Sequence, residues 1–255
     1  MNIIYGPVAS WRLGRSLGVD VICTSKKICS FNCIYCQLEH TEKITRQRQS
    51  FINLQDLKQE LDHALRNTQP DVITLSGMGE PTLVKNIDGV IETIRQKSTL
   101  PIAILTNSTF LHEKEIQESL KKIDIIVAKL DAPNERLFQQ INRPAEGITF
   151  AQTLAGIKHM RQRFSGKFAL QMMFMKANVD AAEDLAQVAR GIQPDEIQLN
   201  TPLRPCPIVP LSKKEMQEIE QHFSGLPILS VYSSPRPMTD PLDKIDLLKR
   251  RRMES

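Results

Sequence analysis

Three of the chain's five cysteines lie within eight residues, at Cys29, Cys33 and Cys36. Five cysteines in 255 residues is a frequency of about 0.02, so chance would give about 0.002 such triplets in a chain of this length. Thiolates are soft ligands that bind zinc, copper(I) or iron–sulfur clusters. The adjoining Lys26 and Lys27 would favour ionised thiols and offset the negative charge of a cluster. The spacing therefore predicts a metal or cluster site in this loop.

The number of ligands separates the two kinds of site that this loop could form. Structural zinc takes four protein ligands, and an electron-transfer iron–sulfur cluster usually takes four cysteines. The loop supplies three, so a cubane cluster held here would keep one iron open for chemistry. His40, four residues after Cys36, or Cys23, six residues before Cys29, would instead complete a zinc site. From the residues alone, both the iron–sulfur and the zinc interpretations stay open.

Alternating apolar runs predict the elements that position this loop. Short β-branched runs alternate with helical patterns at about 25 to 30 residues per unit, which is typical of parallel strands with helical crossovers. The predicted strands cover residues 19–23, 71–75, 101–105, 123–130, 168–173 and 196–199. Six such units predict an α/β fold, a partial (βα)6 TIM-like barrel, because a full barrel has eight units and about 250 residues.

The predicted organisation has three parts: an ordered lead-in at residues 1–18, the partial barrel at residues 19–225 and a C-terminal extension at residues 226–255. The extension closes on a basic tail, residues 249–252, which follows a helix predicted at residues 242–248. We expect this tail to be solvated and to complement the helix dipole. In the competing interpretation it contacts RNA phosphates.

Composition predicts an ordinary globular protein of the cytoplasm. Lys and Arg total 33 against 29 Asp and Glu, a net charge of +4 that permits a nucleic-acid partner without requiring one. No apolar run approaches the ~20 residues that span a bilayer, and the first residues lack the basic start and apolar core of a signal peptide. Five cysteines, an odd and clustered set, favour a reducing compartment. We therefore expect no membrane partner.

Polar residues follow the predicted strands at their carboxyl ends, where parallel α/β folds bind ligands. Gly77 and Gly79 would let the backbone approach a ligand closely, and Glu80 offers a carboxylate to a cation. The other members of this set follow later strands, namely Asn107, Lys129, Asp131 and Asn200. Each alone is compatible with turn chemistry or a helix cap. Together they predict a polar cup that faces the cysteine loop.

Two arginines are candidate substrate ligands. Arg143 and Arg204 both follow predicted strands, where a guanidinium could clamp a carboxylate or a phosphate. Surface or structural ion pairs are the competing interpretation. Cys206 either lies near the substrate or is a free thiol in a proline-stiffened loop.

The cysteine loop, with the spacing C-x3-C-x2-C, resembles the signature of the radical S-adenosylmethionine (SAM) superfamily. The resemblance implies a [4Fe–4S] cluster on Cys29, Cys33 and Cys36, whose open iron binds the amino and carboxylate groups of SAM. The reduced cluster would cleave SAM to methionine and a 5′-deoxyadenosyl radical, which would abstract hydrogen from an unidentified substrate. Tyr35 would pack near the adenine. SAM and a reductant such as flavodoxin or ferredoxin are the implied partners.

Motifs outside the loop extend the resemblance from residue 6 to about residue 232. Gly79-Glu80-Pro81 is similar to the end of the Gly-Gly-Glu-Pro motif whose backbone meets the SAM amino group. Met78 replaces the first glycine of that motif, and Gly77 precedes it. The resemblance also implies that Lys129 and Asp131 lie at the ribose and that Asn200 lies near the adenine. Asn107 would be a further residue of the pocket.

Phrases such as Tyr5-Gly-Pro-Val and Arg12-Leu-Gly-Arg-Ser-Leu-Gly most resemble the branch related to the tRNA wyosine-forming (4-demethylwyosine synthase-like) enzymes. A tRNA base is therefore a candidate substrate. Those enzymes carry a second iron–sulfur cluster on three further cysteines, whereas only Cys23 and Cys206 remain here. The wyosine reaction itself is thus not predicted. The competing function is a zinc-stabilised (Cys3His) nucleic-acid-binding module without catalysis.

Overall fold

The computed structural model describes residues 2–38 and 40–251. Within them the strands are β1 (Ile4–Ser10), β2 (Gly14–Asp20), β3 (Ile28–Cys29), β4 (Lys43–Ile44), β5 (Val72–Ser76), β6 (Ile102–Thr106), β7 (Ile125–Lys129), β8 (Lys167–Met173), β9 (Glu196–Asn200) and β10 (Ile228–Ser230). The α-helices are α1 (Leu54–Asn67), α2 (Ile87–Lys97), α3 (Lys114–Leu120), α4 (Glu135–Asn142), α5 (Phe150–Arg163), α6 (Ala182–Ile192), α7 (Lys213–His222) and α8 (Lys244–Arg251).

Eight of these strands form one curled sheet in the order β1-β2-β5-β6-β7-β8-β9-β10, and β3 pairs separately with β4. The pair β1–β2 is antiparallel, with a register shift between Tyr5 and Val8. Every later pair in the sheet is parallel. The seven parallel strands consequently present their carboxyl ends at one rim. The predicted α/β class and partial barrel are confirmed, and β10 adds a seventh parallel strand to the six predicted.

The amino-terminal strands differ from the prediction, which placed the first strand at residues 19–23. Instead β1 and β2 form a hairpin, and β2 ends at Asp20. Gly18 belongs to this hairpin because Tyr5 packs over it: a Cβ added at Gly18 would lie 2.1 Å from the Tyr5 Cζ. The glycines of this segment resemble loop residues in the sequence, but here one serves close packing between strands.

The helices cover the outer face of the sheet with apolar side chains. In α1 the buried residues are Leu57, Leu61 and Ala64, at the spacing that predicted the helix. The helix begins where the Asn53 side chain accepts a hydrogen bond from the Gln55 N–H. None of the helices in the described part of the chain combines the length and hydrophobicity that crossing a bilayer requires.

The prediction that the basic tail is solvated is wrong for Arg250, the tail residue whose side chain the structure describes. Arg250 is 7% exposed, and its Nη1 lies 2.7 Å from Oδ2 of Asp20, whose side chain has no exposed surface. Its guanidinium also stacks 4.8 Å from the Tyr5 ring centroid. Arg250 therefore ties α8 to the end of β2. Residue 252 of the predicted tail lies outside the described residues.

Candidate active site

The cysteine loop joins β3 to β4 and is fastened to the end of α4. The Asn32 N–H donates to the Asn142 carbonyl at 3.0 Å, and the Ile34 N–H donates to the Ile141 carbonyl at 2.9 Å. Phe31 anchors the loop through an edge-on contact with Phe138, with ring centroids 5.3 Å apart. These contacts fix the backbone on both sides of Cys33. The cysteine positions are thus set by packing before any ligand binds.

Cys29, Cys33 and Cys36 all line one cavity of about 460 Å³. The Cys29 sulfur accepts from the Phe31 N–H at 3.5 Å and from the Asn107 amide at 3.6 Å. The Asn142 amide lies 3.5 Å from the Cys33 sulfur.

Burial raises the pKa of the Cys29 and Cys33 thiols, to about 12 for Cys29. Buried thiols of this kind ionise when a metal binds. N–H donors already aimed at two of the sulfurs suit thiolate ligands of a cluster.

Lys27 supplies the positive charge beside these thiols. It is 4% exposed. Burial lowers its pKa, but the charges of Cys36, Cys29 and Cys33 outweigh burial, so the net shift is upward. Lys26, by contrast, is exposed and pairs with Glu42. The sequence predicted both lysines as charge partners, and the structure places only Lys27 at the cavity.

A cluster distributes its thiolate ligands over separate irons, whereas a mononuclear zinc site needs four ligands at one ion. Among residues 2–38 and 40–251, no group of three or more His, Cys, Asp or Glu side chains is arranged to hold a metal ion. His40 is exposed, and its Nδ1 lies 3.0 Å from the Asn32 amide. Neither His40 nor Cys23 is among the residues that line the cavity. Three cysteines on one cavity beside the buried Lys27 are a donor set of the kind that holds an iron–sulfur cluster.

The strand-end residues meet the cysteine loop at this cavity, as the sequence predicted. Those that line it are Tyr35, Gly77, Gly79, Glu80, Asn107, Lys129, Asn200 and Arg204. Two predicted site residues do not line it, namely Asp131 and Arg143. Arg143 is exposed and ends α4 with a φ of 45°.

Gly77 and Gly79 bring protein groups together around β5. A Cβ at Gly77 would lie 2.2 Å from the Asp20 carboxylate carbon, and one at Gly79 would lie 1.6 Å from the Ile28 carbonyl oxygen. Both residues have positive φ, +123° and +156°. Substitution at either position would therefore displace the wall of the cavity. These glycines were expected to let the backbone approach a ligand closely. In the structure, the groups that approach them closely are the Ile28 backbone and the Asp20 side chain.

Glu80 serves the fold with both of its oxygens. Its Oε1 accepts from the Thr82 N–H, the Thr82 hydroxyl and the Thr106 hydroxyl at 3.0, 2.6 and 2.6 Å. Its Oε2 accepts from the Asn107 N–H at 2.6 Å. Burial nevertheless raises its pKa. This carboxylate joins the end of β5 to the end of β6 and orients Asn107 toward the cysteines.

Asp131 lies behind the cavity wall and supports Tyr35. The Tyr35 hydroxyl donates to Asp131 Oδ2, which also accepts from the Asn142 amide at 2.9 Å. The Met173 N–H donates to Oδ1 at 2.9 Å. Lys129 lies 5.1 Å from the Tyr35 ring centroid and 3.8 Å from Asp131. Asp131 thus fixes the ring that faces the cavity rather than facing a ligand itself.

Several cavity residues were missed by sequence reasoning. Arg12 and Trp11 lie in the turn of a hairpin that was not predicted. Gln171 lies on β8, and its Oε1 accepts from the Lys129 ammonium at 2.5 Å. The period-two pattern of β8 and β9 could have found the inward positions, since alternate residues face one side of a strand. Arg236 and Arg250 line the cavity from segments that carried no strand signal.

The predicted cysteine outside the loop, Cys206, is half-buried, and its thiol donates to the Ile208 carbonyl at 3.4 Å. It does not line the cavity, although Arg204 and Pro205 do. Arg204 Nη1 donates to Gln37 Oε1 at 2.7 Å, which links the segment after β9 to the cysteine loop. The proximity of Cys206 to a substrate stays a prediction.

Comparison with known proteins gives a consistent result. Residues 25–189 match the profile of the Radical SAM superfamily. The chain is 42% identical over 206 residues to the UPF0026 protein slr1464 of Synechocystis, covering 80% of this chain and 77% of that protein. It is 35% identical over 229 residues to a protein named GTPase Obg of Brachyspira hyodysenteriae, covering 87% of this chain but only 33% of that one.

Solved structures show the same fold. A radical SAM methyltransferase from Sphaerobacter thermophilus superposes with a TM-score of 0.64 at 18% identity, over 84% of this chain and 66% of that chain. Streptococcus suis SuiB bound to S-adenosylmethionine superposes with a TM-score of 0.61 at 17% identity, over 80% of this chain and 48% of that one. At these identities the likeness concerns the fold alone.

Proposed function

The chain belongs to the radical SAM superfamily and is related within it to the UPF0026 proteins. From that premise we propose that it is an enzyme that cleaves SAM reductively. Members of the superfamily bind a [4Fe–4S] cluster and SAM. The observation that carries the proposal is the shared cavity of Cys29, Cys33, Cys36 and buried Lys27. The chemistry supplied by the bound groups is one-electron cleavage of SAM to methionine and a 5′-deoxyadenosyl radical, which takes a hydrogen atom from the substrate.

In this proposal the three cysteines hold the cluster. The Asn107 and Asn142 amides donate toward the sulfurs of Cys29 and Cys33 and stabilise their negative charge. Lys27, which is itself buried, offsets that charge. The anchored loop backbone keeps the ligands at a fixed spacing.

SAM would be held by residues of the upper cavity wall. In this proposal the backbone of Gly77, Met78 and Gly79 would contact its amino acid part, and Lys129 and Asn200 would contact its nucleoside; all five residues line the cavity. Tyr35 presents a ring held from behind by Asp131.

The proposal also includes the electron donor, the branch of the superfamily and the substrate that the sequence motifs suggest. A small one-electron donor such as flavodoxin or ferredoxin would reduce the cluster. The wyosine-type branch and a tRNA base as substrate rest on sequence motifs, and profiling of tRNA nucleosides and metabolites in a deletion strain would test them.

Anaerobic reconstitution with iron and sulfide tests the central claim. The wild-type chain should bind about four irons per chain and, with dithionite, convert SAM to 5′-deoxyadenosine. Cys33→Ala should abolish this product, whereas Cys206→Ser, a matched change outside the loop, should retain it. Wild-type protein that takes up no iron, or a Cys33→Ala variant as active as wild type, would refute the proposal.

A second substitution addresses the zinc alternative. His40→Ala should leave iron content and 5′-deoxyadenosine formation unchanged. Loss of a tightly bound zinc together with unfolding in this variant would favour the binding module.

A further inference from the structure

The cavity continues from the cysteine loop down the inside of the half-barrel. Ser16 of β2, Thr74 of β5 and Val127 of β7 line this lower part, here called the lumen. At its base lies the β1–β2 turn with Trp11 and Arg12. This turn is at the amino end of the sheet, opposite the rim, because the adjacent Arg15 pairs with Asp71, just before β5.

Arg12 presents an unpartnered donor at the base of the lumen. Its Nε is buried and has no hydrogen-bond partner. Burial lowers the pKa of its guanidinium to about 10, which the charge of Glu196 opposes. The oxygens of Glu196 are engaged elsewhere, with Lys167 at 2.7 Å and with the Gln198 amide at 2.8 Å. A buried N–H donor without an acceptor is costly unless a ligand supplies one.

Gln171 presents a second unpartnered donor to the same cavity. The residue is 5% exposed. Because the Lys129 ammonium can only donate, the amide oxygen of Gln171 must face it, and the amide nitrogen points away. That nitrogen, Nε2, has no hydrogen-bond partner. Buried polar groups without a partner are uncommon in native structures, so two of them on one cavity indicate a ligand rich in acceptors.

The charge of the cavity wall has one prevailing sign. The cationic residues that line it are Arg12, Lys27, Lys129, Arg204, Arg236 and Arg250. Glu80 is the acidic residue among the lining residues that the structure describes, and its oxygens accept hydrogen bonds from the protein. Lys129 and Arg250 are paired with Asp131 and Asp20 behind the wall, and the cationic surplus that the wall still carries attracts anions.

We propose that the cavity binds an anionic substrate along its length: Arg12 binds a carboxylate or phosphate at the base of the lumen, an oxyanion-binding compartment, and Gln171, in register with Lys129 near the rim, donates to an oxygen elsewhere on the substrate. This names the substrate class for the proposed function and rests on it. Arginine binds both anions well because its planar donors match their oxygens.

The chain carries its own reporter for this compartment. It has one tryptophan, Trp11, whose ring centroid lies 5.5 Å from the Arg12 guanidinium carbon. The full chain, purified without cluster, is titrated with inorganic phosphate and separately with succinate, with potassium chloride at matched ionic strength as control. We expect a saturable change in tryptophan emission with at least one oxyanion and none with chloride.

Two variants and a matched control connect the response to the compartment. Arg12→Gln should raise the half-saturating concentration at least about tenfold, as expected for loss of a charge-assisted contact. Arg163→Gln removes the same charge from the exposed end of α5 and should respond as wild type does. Arg12→Lys keeps the charge but loses the planar set of donors; it should also raise the half-saturating concentration, by less than Arg12→Gln does, and it keeps the test decisive should Arg12→Gln fail to fold.

The outcomes separate this inference from the proposed function. A response to phosphate alone identifies a phosphate ester, one to succinate alone identifies a carboxylate, and either supports the compartment. No saturable response, a response equal to that of chloride, or one unchanged in both variants overturns it. Because the titration needs no cluster, a chain that binds oxyanions but never cleaves SAM would refute the proposed function alone.

Discussion

Two sets of buried polar groups around this cavity differ in how fully the protein pairs them. Glu80 and Asp131 are each 2% exposed and accept several hydrogen bonds from the protein. Gln171 and Arg12, by contrast, each keep a buried nitrogen without a partner. Since a buried polar group is costly when unpaired, substitutions should affect stability at the paired groups and, under the proposal above, ligand binding at the unpaired ones.

The largest effect is expected at the ion pair that closes the rim. Arg250→Ala leaves Asp20 buried without its cation and should lower the free energy of unfolding by about 3–5 kcal/mol. Urea denaturation measures this. Arg190→Ala, which removes the partner of Glu183 at an exposed pair, should cost about 1 kcal/mol or less. Equal losses in the two variants would show that the rim pair is not structural.

A somewhat smaller effect is expected at Glu80. Glu80→Ala leaves the Thr106 hydroxyl and the Asn107 N–H without their acceptor and should cost about 3 kcal/mol. Glu118→Ala, at an exposed carboxylate of α3, is the control and should be within about 0.5 kcal/mol of wild type. A Glu80→Ala loss no larger than that of the control would contradict the structural role.

Because the pKa of Glu80 is raised in the folded state, the contribution of Glu80 to stability should decrease as pH rises. Burial raises the folded-state pKa of this carboxyl. Its contribution is therefore fully present below the ordinary pKa and is lost as pH rises through the raised value. The stability of wild type relative to E80Q should increase from about pH 7 down to about pH 4. Urea denaturation across that range measures it, and a flat or opposite trend would reject the assignment.

The smallest effect on stability is expected at Gln171. Gln171→Met removes a buried donor that has no partner, so the free energy of unfolding should change by less than about 1 kcal/mol. Thermal and urea denaturation measure this change. A loss as large as that of Glu80→Ala would mean that Gln171 stabilises the fold, and the contrast between the two sets of groups would fail.

What the sequence predicted follows the same division. The cysteine loop, the strand ends and the partial barrel were predictable because each depends on local spacing or on the rule that parallel strands share a carboxyl end. The β1–β2 hairpin was not, since Gly14 and Gly18 suggest a loop until the position of Tyr5 is known. Arg12 and Gln171 escaped prediction for a related reason. Their role depends on which hydrogen bonds remain unmade, and only three-dimensional packing determines that.

The two outermost strands of the half-barrel have a consequence for solubility. An open sheet exposes unpaired backbone groups at its edges, which can recruit strands from other molecules and start aggregation. Here β10 is three residues long, and β1 is interrupted by the register shift between Tyr5 and Val8. Short or irregular edges make poor templates for such pairing. The barrel can thus stay unclosed beside its cavity while discouraging self-association along its margins.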